Sequence, residues 1–377
     1  MASRLTFTAD ATKKGAIFVG IGLIAFVVLR YTFKTAYTLC CQRPTPTPTP
    51  YVNPAYGVLP PLELPASTLK TVGKKFNLET IDGRVPESTD SGTVYEVVKR
   101  SSGLDYQERS EEIAGAIGFP NSNAEKISNR EFLFIDATDP NKKVEIDFIY
   151  YNLKYTYENL AAYVSLVRGA TPNLIKARGN AVSFMNAARR DLRNDRSLLD
   201  TDSTVPDGSY AYLDPTTQES NPVVTQLQAN LTKVNIPRRP INGVPIIGPY
   251  TTKSLINFTY TGVTTSASAT NFQDRLLNSE IVIWPINKAP SVYAVYPFRS
   301  PQEAWEMLVT GKAIILSPND IDAEYNIRSI YLAYYEPPVF QPYIQPVWVF
   351  EGDKPNDSNY LFRAIVPAVQ SGFATDK

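Results

Sequence analysis

Two carboxylates near the C-terminus have surroundings that could support chemistry. Glu336 and Glu351 flank strand-like stretches that carry Tyr334, Tyr335 and Trp348. A glycosidase places its two carboxyl groups about 5 Å apart to retain stereochemistry, or about 6.5–9.5 Å apart to invert it. Sequence spacing does not fix that distance, and acids at strand ends are ordinarily solvated. A carboxylate-dependent hydrolase is therefore the alternative reading, not the leading one. Asn319, Asp320, Asp322 and Glu324 alternate like the opening of a calcium loop. Such a loop next needs a glycine and then a closing glutamate. Tyr325 and Tyr331 stand at those places, so a plain acidic turn is expected.

Two absences narrow the chemistry further. The chain has no histidine, which removes the usual general base, the commonest metal ligand and every Ser-His-Asp or Cys-His arrangement. Both cysteines, Cys40 and Cys41, lie beside an apolar N-terminal run and read as unmodified thiols, with acylation as the alternative. The rest of the chain thus has no disulfide, no thiol nucleophile and no cysteine zinc site. Catalytic, cofactor and metal residues are accordingly assigned to none. The 37 basic and 37 acidic residues balance, so there is no electrostatic case for nucleic acid. Asn230, Asn257 and Asn356 sit in N-x-[ST] triplets, which arise readily by chance.

An aromatic group offers binding instead of catalysis. Strand alternation places part of the set Tyr331, Tyr334, Tyr335, Phe340, Tyr343 and Trp348 in a core. Phe340 and Tyr343 lie in the proline-flanked stretch PPVFQPYIQP, where exposed rings would favour a protein partner. Phe340, Tyr343, Tyr335 and Trp348 are the candidate partner-binding residues.

The elements that position these residues begin with an anchor. Gly15–Leu29 contains no charge, and Tyr31, Thr32 and Phe33 extend it. With Arg30 and Lys34 snorkelling, residues 15–37 predict a transmembrane helix whose partner is the lipid bilayer. No small-x-small cleavage site follows, so the segment reads as retained. Pro44–Pro50, PTPTPTP, stays extended as polyproline II and suits a stalk. Flanking charges are nearly balanced, and the stalk favours an extracytoplasmic location for the bulk of the chain.

The predicted organisation is an N-terminal tail (1–14), the anchor (15–37), a Thr/Pro-rich linker (38–69), a first α+β module (70–168), a middle region (169–290) and a C-terminal α+β module (291–377). The fold class is α+β, with two or more modules of curved antiparallel sheet and helices on one face. Strands are expected at KKFNLETI, at Gly92–Lys99, at Glu131–Asp136 and its return Lys142–Tyr151, and at Leu227–Val234. Ser254–Tyr260 is expected to pair with Glu280–Pro285. Helices are expected at Glu108–Ile117, at Tyr157–Val167 and from Pro172 to about Arg193, the last capped by Thr171. Arg189, Arg190, Arg193 and Arg196 at its end oppose the negative helix terminus. Ser300-Pro301-Gln302-Glu303 is a capping box opening a helix stopped at Gly311, with Trp305 packing on the strand Tyr325–Tyr335. Gln345–Phe350 and Asn359–Val366 close the sheet.

The series SPQEAWEMLVTGK, YLAYYEP, QPYIQPVWVFEGD and FRAIVPAV resembles the C-terminal module of YycH/YycI-type (PepSY-like) regulatory proteins. The matching features are Glu303-Ala304-Trp305, Tyr331–Tyr335 and Pro346-Val347-Trp348, over the last eighty residues or so. The resemblance implies a bacterial single-pass envelope protein that contacts membrane signalling partners and performs no catalysis. The leading expectation is thus a non-catalytic binding or regulatory protein, with a self-assembling surface protein as a further alternative.

Overall fold

The computed structural model describes residues 22–32 and 52–375, apart from 66–67, 88, 121, 161–163, 165–169, 189–198, 201–205, 263–275, 288–293, 318–323 and 356. The chain divides into two compact units, Met1–Tyr51 and Val52–Lys377. In the first, residues 22–32 form helix α1, whose Leu23, Ile24, Phe26 and Leu29 side chains are exposed. No helix among the described residues is long and apolar enough to cross a membrane. The ends of the predicted span, Cys40, Cys41 and the PTPTPTP stretch lie outside the described residues, as do the Arg189–Arg196 cluster, Asp320, Asp322 and Asn356.

The second unit is mostly β-sheet. In chain order its strands are β1 (Leu69–Lys70), β2 (Lys75–Leu78), β3 (Ser91–Glu96), β4 (Glu125–Lys126), β5 (Glu131–Ile135), β6 (Lys142–Asp147), β7 (Leu153–Tyr157), β8 (Asp207–Leu213) and β9 (Ser220–Val223). There follow β10 (Leu231–Asn235), β11 (Ile246–Ile247), β12 (Ile256–Thr261), β13 (Leu276–Ile281), β14 (Ala294–Pro297), β15 (Ile314–Ser317), β16 (Glu324–Tyr335), β17 (Tyr343–Lys354) and β18 (Asp357–Pro367). Its longer helices among the described residues are α2 (Tyr106–Ala116), α3 (Leu174–Ala188) and α4 (Pro301–Val309).

These strands build two nine-stranded, largely antiparallel sheets. The first runs β1-β15-β18-β17-β16-β11, with β2 on β16 and β3 on β14 and β17; the second runs β4-β5-β6-β7-β13-β12-β10-β8-β9. The module boundaries expected at 70–168, 169–290 and 291–377 do not follow these sheets. β2 lies parallel to β16, and β3 pairs with β14 and β17, so both belong with the C-terminal strands. β13 pairs with β7, which makes the middle region an extension of the β4–β7 sheet. The reason is that alternation sets which face of a strand is buried, but not which distant edge it joins.

Each sheet buries one face under helices. Phe132, Phe134, Val144, Ile146, Tyr155 and Phe258 of the second sheet meet Ala177, Ala181, Phe184 and Met185 of α3. Spacings of three and four residues put those α3 side chains on one stripe. α3 begins later than expected. Asn173, not Thr171, caps it, with Asn173 Oδ1 accepting from Lys176 N–H at 2.8 Å. Thr171 is buried instead, its hydroxyl 2.7 Å from that of Thr232. Most of the helix expected at Tyr157–Val167 lies outside the described residues, and Tyr157 itself ends β7.

In the first sheet, Trp348, Phe350, Phe362 and Ala364 pack with Ala304 and Leu308 of α4. The opposite face, with Ala333, Tyr335, Val347, Val349 and Ile365, is also buried. Burial on both faces is why PVWVF, Pro346–Phe350, reads as an unbroken apolar run. Residues 53–65 are part of this unit, although the sequence reading assigns them to the linker. Asn53 bridges Val295, Leu59 bridges Ala374, and Leu59 is fully buried.

Ser300 caps α4 as expected, accepting from Glu303 N–H at 3.1 Å. The Glu303 carboxylate lies 3.8 Å from the Arg299 guanidinium. Trp305 packs, as expected, on the cluster that includes Tyr325, Ile327 and Ile330 of β16, but it is only half-buried, and its ring lies 6.2 Å from that of Phe350 on the neighbouring β17. Ser300→Ala is therefore expected to cost about 1 kcal/mol, the usual value of an N-cap. Trp305→Ala should fall below the roughly 3–5 kcal/mol of a fully buried tryptophan. Urea unfolding of both variants measures the two costs, and a Trp305→Ala loss within or above that range would contradict the half-buried placement.

Candidate functional site

The two acids singled out by sequence do not form a pair. Glu351 stands opposite Ser329 in the β16–β17 register, and Glu336 lies seven residues further along. At about 3.3 Å per residue the separation is roughly 23 Å, far beyond the reach of a two-carboxylate hydrolysis. Each acid is already engaged. Glu351 Oε1 accepts from Arg363 Nε at 2.7 Å and from the Tyr331 hydroxyl at 3.0 Å. Burial and the neighbouring Glu351 push the Tyr331 phenol well above its ordinary range.

Glu336 is not solvated, as a strand-end acid is expected to be. It is 2% exposed and forms an ion pair with Arg238, itself buried. The Glu336 carboxylate also accepts from Trp284 N–H at 3.3 Å, and Arg238 Nη2 donates to Trp284 O at 3.4 Å. Trp284 Nε1 donates to Pro337 O at 2.8 Å. Burial pushes the Glu336 carboxyl above its ordinary value, while Arg238 and the Trp284 N–H pull it down. This cluster ties the end of β16 in the first sheet to the chain beyond β10 and β13 of the second. Its chemistry is that of a structural clasp.

The aromatic candidates separate as strand alternation dictates. Tyr335 and Trp348 are buried on opposite faces of the first sheet, Tyr335 in the cluster that holds Leu62 and Trp348 in the core under α4. Trp348 Nε1 donates to Arg299 O at 2.9 Å. Tyr343 stacks on Tyr56, with centroids 4.7 Å apart. Phe340 alone of the four lines an open groove.

That groove has a volume of about 570 Å³ and lies on the polar face of the second sheet, opposite α2 and α3. Its floor is a cross-strand row, Glu145 on β6, Lys154 on β7 and Glu280 on β13, set side by side by register. Lys154 lies 3.7 Å from Glu145, and Lys253 lies 3.0 Å from Glu280. One wall is the Arg130–Asp147 ion pair at 2.7 Å. The other is Trp284, Pro338, Val339 and Phe340. The Arg130 guanidinium lies 5.7 Å from the ring centres of both Tyr150 and Phe340, a cation–π arrangement that fixes its direction. Tyr150 and Phe340 stack at 5.6 Å, and Trp284 meets Phe340 edge-on at 5.7 Å. Val339 at the lip is exposed.

Among the described residues no group of three or more His, Cys, Asp or Glu is arranged to hold a metal ion. The lining supplies charged and amide groups beside an apolar lip, an arrangement suited to binding a mixed polar and apolar segment. Sequence reasoning reached Phe340 but not Arg130, Glu145, Asp147, Lys154 or Glu280. Alternation in KKVEIDFIY puts Glu145 and Asp147 on the polar face, but their meeting with Glu280 depends on the long-range β7–β13 pairing.

No family model matches the chain, and no curated protein matches it. Among solved structures it is similar to an uncharacterized protein from Eubacterium rectale, at 12% identity and a TM-score of 0.38, covering 82% of this chain and 92% of that one.

Proposed function

We propose that the chain is a membrane-anchored, extracytoplasmic, non-catalytic binding protein of the cell envelope that acts through protein–protein contacts. The observation that carries this reading is the groove on the second sheet, with its exposed Val339 lip and its Glu145–Lys154–Glu280 floor. An extended protein segment fits that lining, its apolar side chains on Val339 and Phe340 and its charges exchanging with the floor. Glu145, Asp147 and Glu280 each face a cation, which suits exchange of ion pairs more than general acid catalysis. The uncharged run Gly15–Leu29 and the exposed apolar side chains of α1 support the anchor, and the proline-rich stalk supports an outside location. The YycH/YycI-type likeness of the last eighty residues belongs to the same reading.

A photo-crosslinking amino acid at Val339 in native membranes is expected to capture one discrete protein partner. The same probe at fully exposed Ile81 should capture none. Equal labelling at the two sites would contradict the groove. Location is tested separately. A single cysteine at exposed Ser101, in a chain lacking Cys40 and Cys41, is expected to react with a membrane-impermeant maleimide on intact cells. Reaction only after lysis would place the folded unit inside.

A further inference from the structure

Residues 52–65 belong to no regular strand of the first sheet, yet their backbone is held as a bound peptide would be. Asn53 and Val295 exchange both backbone hydrogen bonds at 2.9 Å. The Tyr296 hydroxyl donates to Gly57 O at 3.0 Å and lies 3.1 Å from Tyr56 N. Leu59 N–H donates to Phe373 O, and Thr375 N–H donates to Leu59 O, both at 2.9 Å. Beyond Leu59 the contacts come from side chains. Gln345 Nε2 donates to Pro60 O at 2.8 Å, Gln341 Oε1 accepts from Glu63 N–H at 2.8 Å, and the Tyr335 hydroxyl donates to Glu63 O at 3.2 Å.

Gln341 and Gln345 are buried, at 0% and 2% exposure. A buried amide is costly unless it is hydrogen-bonded. Here each amide is matched to a backbone group of the docked segment. Leu62 and Leu64 fill a trough lined by Ile247, Leu316, Ala333, Tyr335, Val347 and Ile365. Pro60, Pro61 and Pro65 fix their own φ and hold Leu59, Pro60 and Leu64 extended, so docking this segment orders little that was free. Side-chain donors and acceptors read the extended backbone while leucines enter an apolar trough, which is how a groove with a few placed polar groups holds a peptide.

We propose that this face of the first sheet is a peptide-binding groove, occupied by the chain's own residues 60–65 as an exchangeable ligand, while Leu59 just before them packs in the core of the α4-covered face. Its ligand class is an extended, proline-rich peptide carrying leucines. The groove is distinct from the one on the second sheet, although the two share a loop: Phe340 faces one and Gln341 serves the other.

The test uses the full-length chain in detergent, with a specific protease site inserted between Pro65 and Leu69. After cleavage, the N-terminal fragment is expected to co-elute with the folded body. A labelled synthetic peptide of residues 52–65 in excess should displace it, with the body's circular dichroism unchanged. Gln341→Ala with Gln345→Ala should speed release at least tenfold, and so should Leu62→Ala, which leaves both amides in place. The proposal is overturned if the fragment leaves the native body at once, or is not displaced before the body unfolds. Release unchanged in both variants would also overturn it.

Discussion

Glu336→Ala is expected to lower the stability of the folded unit by about 3–5 kcal/mol, the loss seen when one partner of a buried ion pair is removed. The variant would leave the Arg238 guanidinium buried with its charge uncompensated. It would also remove the acceptor for Trp284 N–H and loosen the segment that holds the Trp284 indole on Pro337 O. Both sheets meet at this cluster, so the loss should appear as one cooperative shift in a urea unfolding curve. Replacing both charges by apolar groups, as Glu336→Leu with Arg238→Met, should recover most of the loss, because neither then leaves a lone charge inside. A Glu336→Ala loss below about 1 kcal/mol, typical of surface pairs, would mean that the clasp is solvated.

Gly352→Ala should be nearly as damaging, for a steric reason. Gly352 lies in β17 beside the irregularity where the β16–β17 register shifts between Ile327 and Ser329. An added Cβ would come within 1.9 Å of Asn326 O and 3.0 Å of Ile327 Cα. Those are backbone atoms of a central strand and cannot rotate away. Overpacking ordinarily costs about 1–3 kcal/mol, and forcing apart paired backbone places this case at the upper end or beyond it. Gly115→Ala supplies the contrast. Gly115 is inside α2 with nothing within 4 Å of its would-be Cβ, so alanine there should stabilise by about 0.5–1 kcal/mol. Thermal melts of the two variants should move in opposite directions. A Gly352→Ala melt unchanged from the parent would show that the bulge accepts a side chain.

The parts of this fold that were legible are local in sequence. The Ser300 cap, the β5–β6 hairpin and the β16–β17–β18 meander each depend on residues a few positions apart. The β5–β6 turn illustrates this, with Asp139 Oδ1 accepting from Asn141 N–H at 3.2 Å. What escaped is long-range. β2 runs parallel to β16, some 250 positions away, and nothing in KFNL distinguishes that edge from another. Thr171 and Asn173 are both good caps by type, and the buried contact with Thr232 decides between them. Glu336 reads as a surface acid because its partner Arg238 is remote in sequence. The groove was legible only at Phe340, since its charged floor is assembled from three strands that the chain reaches far apart.

The reading of the second-sheet groove as a protein-binding site is tested most directly by crosslinking from Val339 with the floor charges reversed. Glu145→Lys with Glu280→Lys turns a mixed floor wholly basic while leaving the apolar lip and the buried face of the sheet untouched. With folding verified by an unchanged melting temperature, the account predicts that the partner band seen with the unaltered floor disappears. A band of undiminished intensity in the doubly reversed chain would contradict it.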